Sequence, residues 1–188
     1  MQFPGYYARP VPSFGDPCAS LLVVGLGPGL HGANATGRPF TGDFAGILLY
    51  QTLYTFGFAS HPQSIAANDP LELHDCRITN AVRCLPPQNK PLTVEVDTCN
   101  GYLAGELEAE PQPRVVLALG AIAHRAVLKA LGHKLAAFPF AHGAGHAVTA
   151  DLTLVDSYHC SRYNTQTRRL TEAMFHAVFK GIRSRLDT

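Results

Sequence analysis

The chain has no tryptophan, few charged residues and no long apolar run. Each absence excludes something. Charged residues make up 15% of the 188, and the formal net charge is +1. A globally basic nucleic-acid coat protein is excluded, although a local basic patch is not. No apolar stretch approaches the roughly 18 residues that cross a bilayer, so no membrane partner is expected. The opening Met1-Gln2-Phe3-Pro4-Gly5 has neither a basic nor an apolar segment, so no secretory signal is expected. Five cysteines are an odd number in a chain long enough to fold without disulfides. A reduced, cytoplasmic setting is expected.

What is present points to a packed domain. Hydrophobic residues make up 46%, which excludes a disordered chain. The length suits a single domain over residues 1–188. Gly and Pro together form about a sixth of the chain, a sign of long ordered loops. Four apolar runs read as buried strands: Leu21–Gly25, Cys76–Val82, Val115–Leu119 and Leu152–Ser157. Between and after them lie helical patterns at Gly46–Phe56, Thr93–Leu107, Ala121–Leu131 and Leu170–Ile182. Thr93 reads as an N-cap, with Glu95 in the first turn. The alternation predicts a three-layer α/β/α sandwich with a central four-stranded parallel sheet. Ligands bind such sheets at the carboxyl ends of the strands. The segments to inspect are therefore 25–43, 80–90, 119–124 and 158–169.

The first of these carries six glycines in eighteen residues, Gly25 to Gly42. The dinucleotide fingerprint fails because Leu30 stands at its third glycine. The phosphate loop fails because Arg38 and Pro39 replace its lysine and hydroxyl. No nucleotide cofactor is expected. Phe40 has little core to fill in such a loop, and a stacking platform is a natural use for it. The last segment, Ser157 to Arg169, is polar and basic. From Cys160 onward, Arg162, Arg168, Arg169, Lys180, Arg183 and Arg185 face only Glu172 and Asp187. That +4 tail against a −3 body hints at a polyanionic partner. His142 and His146 have the spacing of a helical metal pair, but Gly143, Ala144 and Gly145 between them argue against a helix.

Three stretches together resemble the uracil-DNA glycosylase superfamily, specifically its family 5. They are Gly25-Leu-Gly-Pro-Gly-Leu-His-Gly-Ala-Asn-Ala-Thr-Gly-Arg-Pro-Phe-Thr-Gly-Asp43, Thr79-Asn-Ala-Val-Arg-Cys-Leu-Pro-Pro-Gln-Asn-Lys-Pro91 and Ser157-Tyr-His-Cys-Ser-Arg-Tyr-Asn-Thr-Gln-Thr-Arg-Arg-Leu-Thr171. The resemblance implies a monofunctional DNA-repair hydrolase. Such an enzyme cuts the N-glycosidic bond of uracil, releasing the free base and leaving an abasic site. Other deaminated or oxidised bases are further candidate substrates. It implies that Phe40 stacks on the extruded base, that the Asn80 amide reads its edge, and that His159 donates a hydrogen bond as the base leaves. Asn34 matches a polar position that takes part in catalysis, and the turn at Gly27 and Gly29 faces the base. Ser161, Arg162, Asn164, Gln166 and Arg168 fall in the DNA-reading loop, which implies DNA as partner, double- or single-stranded. A monomer is expected.

The chain departs from the pattern in several places. Many relatives carry Asp, Glu or Asn where Gly27 stands, to position water. Here the water would be held by Asn34 or Asn80, or would trap a cation formed by dissociation. Asp43 reads as a helix cap. The family implies a [4Fe-4S] cluster on four cysteines. Cys84 and Cys99 match one pair, and the other is expected upstream of Arg9–Asp16, beyond Met1. The expectation is either a start codon assigned too late or a member that has lost its cluster. Cys160 replaces a proline, which is expected to loosen the loop and the aim of His159, and Arg168 replaces a glycine and is expected to add a phosphate contact. A catalytically weak damage-binding relative is the alternative.

Overall fold

The computed structural model describes residues 3–188. Its strands are β1 (Phe14–Gly15), β2 (Leu21–Gly25), β3 (Cys76–Asn80), β4 (Val115–Leu119), β5 (Gly145–Ala147) and β6 (Thr153–Ser157). Its helices are α1 (Ala33–Thr36), α2 (Phe44–Thr55), α3 (Thr93–Glu108), α4 (Ala121–Ala130), α5 (Arg162–Gln166) and α6 (Glu172–Leu186). The strands form one sheet in the order β1-β3-β2-β4-β6-β5. The inner four are parallel, as the alternation of strand and helix predicts. The sequence gives no sign of β1 and β5, which pair antiparallel at the two edges. At two and three residues they are too short to show a periodicity.

Continuous apolar strands bury both faces. In β2, Leu21 and Val23 pack with Leu49, Tyr50 and Leu53 of α2 and with Phe175 and Phe179 of α6. Leu22 and Val24 pack on the other face with Leu103 of α3 and with Ala123 and Val127 of α4. The period of two along one strand thus separates the layers.

Asp43 caps α2 as expected, its Oδ1 accepting the Gly46 amide at 2.9 Å. Thr93 does not cap α3. Leu92 holds that position, and the Glu95 carboxylate accepts the Leu92 amide at 2.7 Å. Glu95 thereby meets a free amide that Thr93, already helical, leaves unsatisfied. The parallel register aligns Gly25 with Asn80 and Leu119 with Ser157. Every loop leaving a parallel strand therefore emerges at one end of the sheet.

Candidate active site

Gly25 ends β2 beside Asn80, and the pairing continues past the strands. The Ala81 amide donates to the Gly25 carbonyl at 2.9 Å, and Val82 donates to Leu26 at 3.1 Å. A Cβ on Gly25 would strike the Asn80 Oδ1 and lie 2.6 Å from the Phe40 ring. Only glycine lets these two side chains converge here. The Asn80 Oδ1 is buried and has no hydrogen-bond partner among the described residues. Such an acceptor costs about 1–3 kcal/mol until something donates to it.

Phe40 is held in a left-handed backbone conformation, with φ +56°. A bulky residue adopts that only when its surroundings impose it. Tyr50 donates to the adjacent Pro39 carbonyl at 2.8 Å. Gly46, lacking a Cβ, lets the first turn of α2 lie against the Phe40 carbonyl. Two residues before Phe40, the buried Arg38 reaches across to a neighbouring loop. Its guanidinium pairs with Asp69, donates to Ser64 at 3.1 Å and to the Ala67 carbonyl, and lies over the Phe14 ring. Arg38 fixes the loop that presents Phe40.

His159 lies two residues beyond β6, and its ring faces Phe40 with centroids 6.1 Å apart and planes 29° apart. Burial pushes its imidazole down to about 4. At neutral pH it is an uncharged ring with one N–H to donate. An aromatic plate, an unsatisfied amide oxygen and a neutral donor thus surround one end of the sheet. That set suits a flat, polar heterocycle.

Asn34 is buried in α1, its amide donating weakly to the Leu30 carbonyl at 3.5 Å. Its backbone N–H donates to the Gly29 carbonyl at 3.1 Å, which ties it to the glycine turn. A Cβ on Gly27 would come within 2.5 Å of a Val82 methyl, so no carboxylate fits there without moving Val82. Burial raises the Asp43 carboxyl above its usual range, against amide bonds from Gly46 and Ala45.

The loop residues divide in two. Arg162, Gln166 and Arg168 are exposed. Ser161 instead caps α5, its Oγ accepting the Asn164 amide at 3.4 Å. The Asn164 side chain donates to the His159 carbonyl at 2.8 Å. The basic tail also separates. Arg162, Arg168 and Arg169 lie on the loop, but Arg183 donates to the Phe56 carbonyl and packs over Phe58. The +4 total therefore describes no single surface.

Sequence reasoning missed a buried group formed by His124, His146 and Asp156. The Asp156 carboxylate meets the His124 Nδ1 at 2.7 Å and the His146 Nε2 at 3.3 Å, while the His124 Nε2 faces the Phe138 carbonyl at 2.9 Å. Three residues of metal-ligand type meet here, but hydrogen bonds account for all these contacts. His142 takes no part in it. The spacing of His142 and His146 belongs to a turn entering β5, and the two rings serve different partners.

A four-iron cluster needs four ligands, normally thiolates. Cys84 is exposed just past β3, and Cys99 is half-buried on α3. Arg83 lies over Tyr102 and pairs with Glu106, which brings the chain at Cys84 alongside α3. Cys18 and Cys76 lie at the opposite end of the sheet, before or at the start of a strand. Burial holds the thiols of Cys76 and Cys160 well above their usual range. The described residues therefore offer two thiols at family positions and do not make a four-thiolate site.

The family model described as the uracil DNA glycosylase superfamily matches residues 12–183, and the chain belongs to that superfamily. Within it, the chain is similar to a type-5 uracil-DNA glycosylase of Thermus thermophilus. The two are 49% identical over 173 residues, covering 92% of this chain and 78% of that protein. A type-5 uracil-DNA glycosylase of Pyrobaculum aerophilum is 46% identical over 88% of this chain and 72% of its own length. A type-4 uracil-DNA glycosylase of Archaeoglobus fulgidus is 36% identical over 60% of this chain and 49% of its own.

Proposed function

We propose that this protein is a monofunctional uracil-DNA glycosylase of DNA repair. Uracil is turned out of the DNA stack into the space between Phe40, Asn80 and His159. The observation that carries the reading is the buried, unpartnered Asn80 Oδ1 beside the strained Phe40. The uracil N3–H is the donor that oxygen lacks, and the Phe40 ring offers its face to the base.

The C1′–N1 bond then breaks, its electron pair passing to the base. The sugar gains oxocarbenium character, and negative charge collects on the uracil oxygens. His159 donates its N–H to one of them. A neutral imidazole stabilises that charge by hydrogen bonding, with no proton lost from the protein. Water adds to C1′ and gives up a proton, which ends on the departing uracil anion, leaving free neutral base and an abasic site. With no carboxylate at Gly27, Asn34 and the Gly27–Gly29 turn are the groups that line the water's approach. Arg162, Gln166 and Arg168 meet the DNA backbone or groove. No step passes through an iron–sulfur cluster.

The test is incubation with duplexes carrying uracil, hypoxanthine or hydroxymethyluracil, followed by cleavage at abasic sites. Strand breaks in the uracil duplex are expected. A folded protein that releases no base from any of the three would overturn the reading.

A further inference from the structure

Beyond Ser157 the β6 ladder ends, and the chain must still deliver His159 with a defined aim. The last ladder-type bond there is the Gly120 amide donating to the Ser157 carbonyl at 2.8 Å. From that point side chains replace backbone partners. The Tyr158 N–H donates to the His142 Nδ1 at 3.1 Å. The Tyr158 carbonyl accepts from the Ser157 Oγ at 2.9 Å. The Tyr158 ring stacks on the His142 ring at 4.9 Å and 15°, and the Arg169 guanidinium lies 4.7 Å from its centroid.

We infer that His142 is a positioning residue for His159, acting through the Tyr158 backbone. The inference rests on the glycosylase reading and deepens it. A backbone amide can only donate, so the His142 Nδ1 must be bare and its proton must sit on Nε2. His142 is itself anchored. The Gly143 amide donates to the Asp156 carbonyl at 2.8 Å, and the Asp156 amide donates to the Ala144 carbonyl at 2.9 Å. The Asp156 carboxylate, buried among His124 and His146, also takes the Ala141 amide at 3.4 Å. The segment carrying His142 is thus locked to the same strand whose end it steadies. Asn164 completes the grip from the far side by holding the His159 carbonyl.

A structural role for the ring and a positioning role for Nδ1 make different demands. Packing against Tyr158 needs any flat or polar group of similar size. Positioning needs an acceptor at one atom. Asn places its Oδ1 where the His Nδ1 stands, one bond beyond Cγ, whereas Gln reaches only towards the Nε2 position. The variants to compare are His142→Ala, His142→Asn and His142→Gln, in the full chain and under single-turnover conditions on a uracil duplex. Misplacement by about 1 Å can cost on the order of 100-fold. The expected result is a roughly 10- to 100-fold slower base release in the Ala and Gln variants, with DNA affinity within about twofold of the parent. His142→Asn should recover most of the rate. Hydrogen exchange at the Tyr158 amide should quicken in the Ala and Gln variants and stay protected in the Asn variant. An Asn variant as slow as Ala, or three variants as fast as the parent, would overturn the inference. A parent protein inactive on every damaged duplex would defeat the glycosylase reading instead. The Tyr158 exchange pattern would then decide the His142 contact, with equal protection in all three variants counting against it.

Discussion

The rings of Phe40 and His159 face each other across 6.1 Å, although they reach that position from opposite sides of the sheet centre. Phe40 follows β2 and His159 follows β6, with β4 between those strands. Their closeness is what brings two loops to one candidate site.

His159 carries the first prediction. Replacing it by Ala should slow uracil release about 10²- to 10³-fold, the usual loss for a donor to developing charge. Its depressed pKa also sets a direction for stability. As pH falls from its ordinary value of 6.5 towards about 4, the unfolded chain takes up a proton that the folded ring refuses. The contribution is complete above 6.5 and is lost through that window. The thermal midpoint of the parent should therefore fall more steeply between pH 7 and pH 4.5 than that of His159→Gln. Parallel slopes would contradict the assignment.

Gly25 carries the second. A methyl group there lands between the Asn80 oxygen and the Phe40 ring, in the space assigned to the base. Gly25→Ala should lower uracil release at least about 100-fold. Overpacking at a strand end should cost about 1–3 kcal/mol of stability. Affinity for undamaged DNA, measured by fluorescence anisotropy, should change little. Retained activity would mean that the base lies elsewhere.

Arg168 joins two opposing effects. It sits at φ +57°, where the family pattern has glycine, and its side chain is exposed. Arg168→Gly should relieve left-handed strain and raise stability by about 1 kcal/mol. It should also remove one phosphate contact, reducing the slope of log affinity against log salt by about 1. A stability gain without a change in that slope would take Arg168 out of the DNA interface.

The four parallel strands were legible because each carries an apolar stretch, and their parallel pairing followed from the helices between them, whereas their order in the sheet was not read from the sequence. Asn80 and His159 were singled out through family motifs, and no periodicity would have pointed to them. Gly25 was missed as a site residue because its role depends on Phe40 and Asn80 meeting above it, at positions 15 and 55 residues away. His124, His146 and Asp156 were missed for the same reason. His146 was noticed only beside His142, and it takes the pairing of β5 with β6 and the packing of α4 to bring the three together. The charge of the tail pointed to a polyanionic partner but not to the surface that meets it, because a sum ignores direction. Arg183 turns onto Phe58, away from the loop that holds Arg162.

Arg38 carries the last prediction, in which a fold contact and the site share one cause. Its side chain and that of Asp69 are each 8% exposed. Burial would raise the Asp69 carboxyl, but bonds from Arg38 and from the amides of Ile65, Ala66 and Leu71 outweigh it and hold it at about 2. Removing one partner of a buried pair leaves the other charge uncompensated, at a cost of about 3–5 kcal/mol. Arg38→Ala should therefore lower the denaturant midpoint strongly. Because Pro39 and Phe40 follow directly, the same change should free Phe40 from its imposed backbone conformation. Asp69→Asn keeps an acceptor for the guanidinium and removes only the charge. It should destabilise less and keep most of the rate of base release at 25 °C, whereas Arg38→Ala should lose rate even where it remains folded. Equal rates in the two variants under folding conditions would separate the Arg38 anchor from the placement of Phe40.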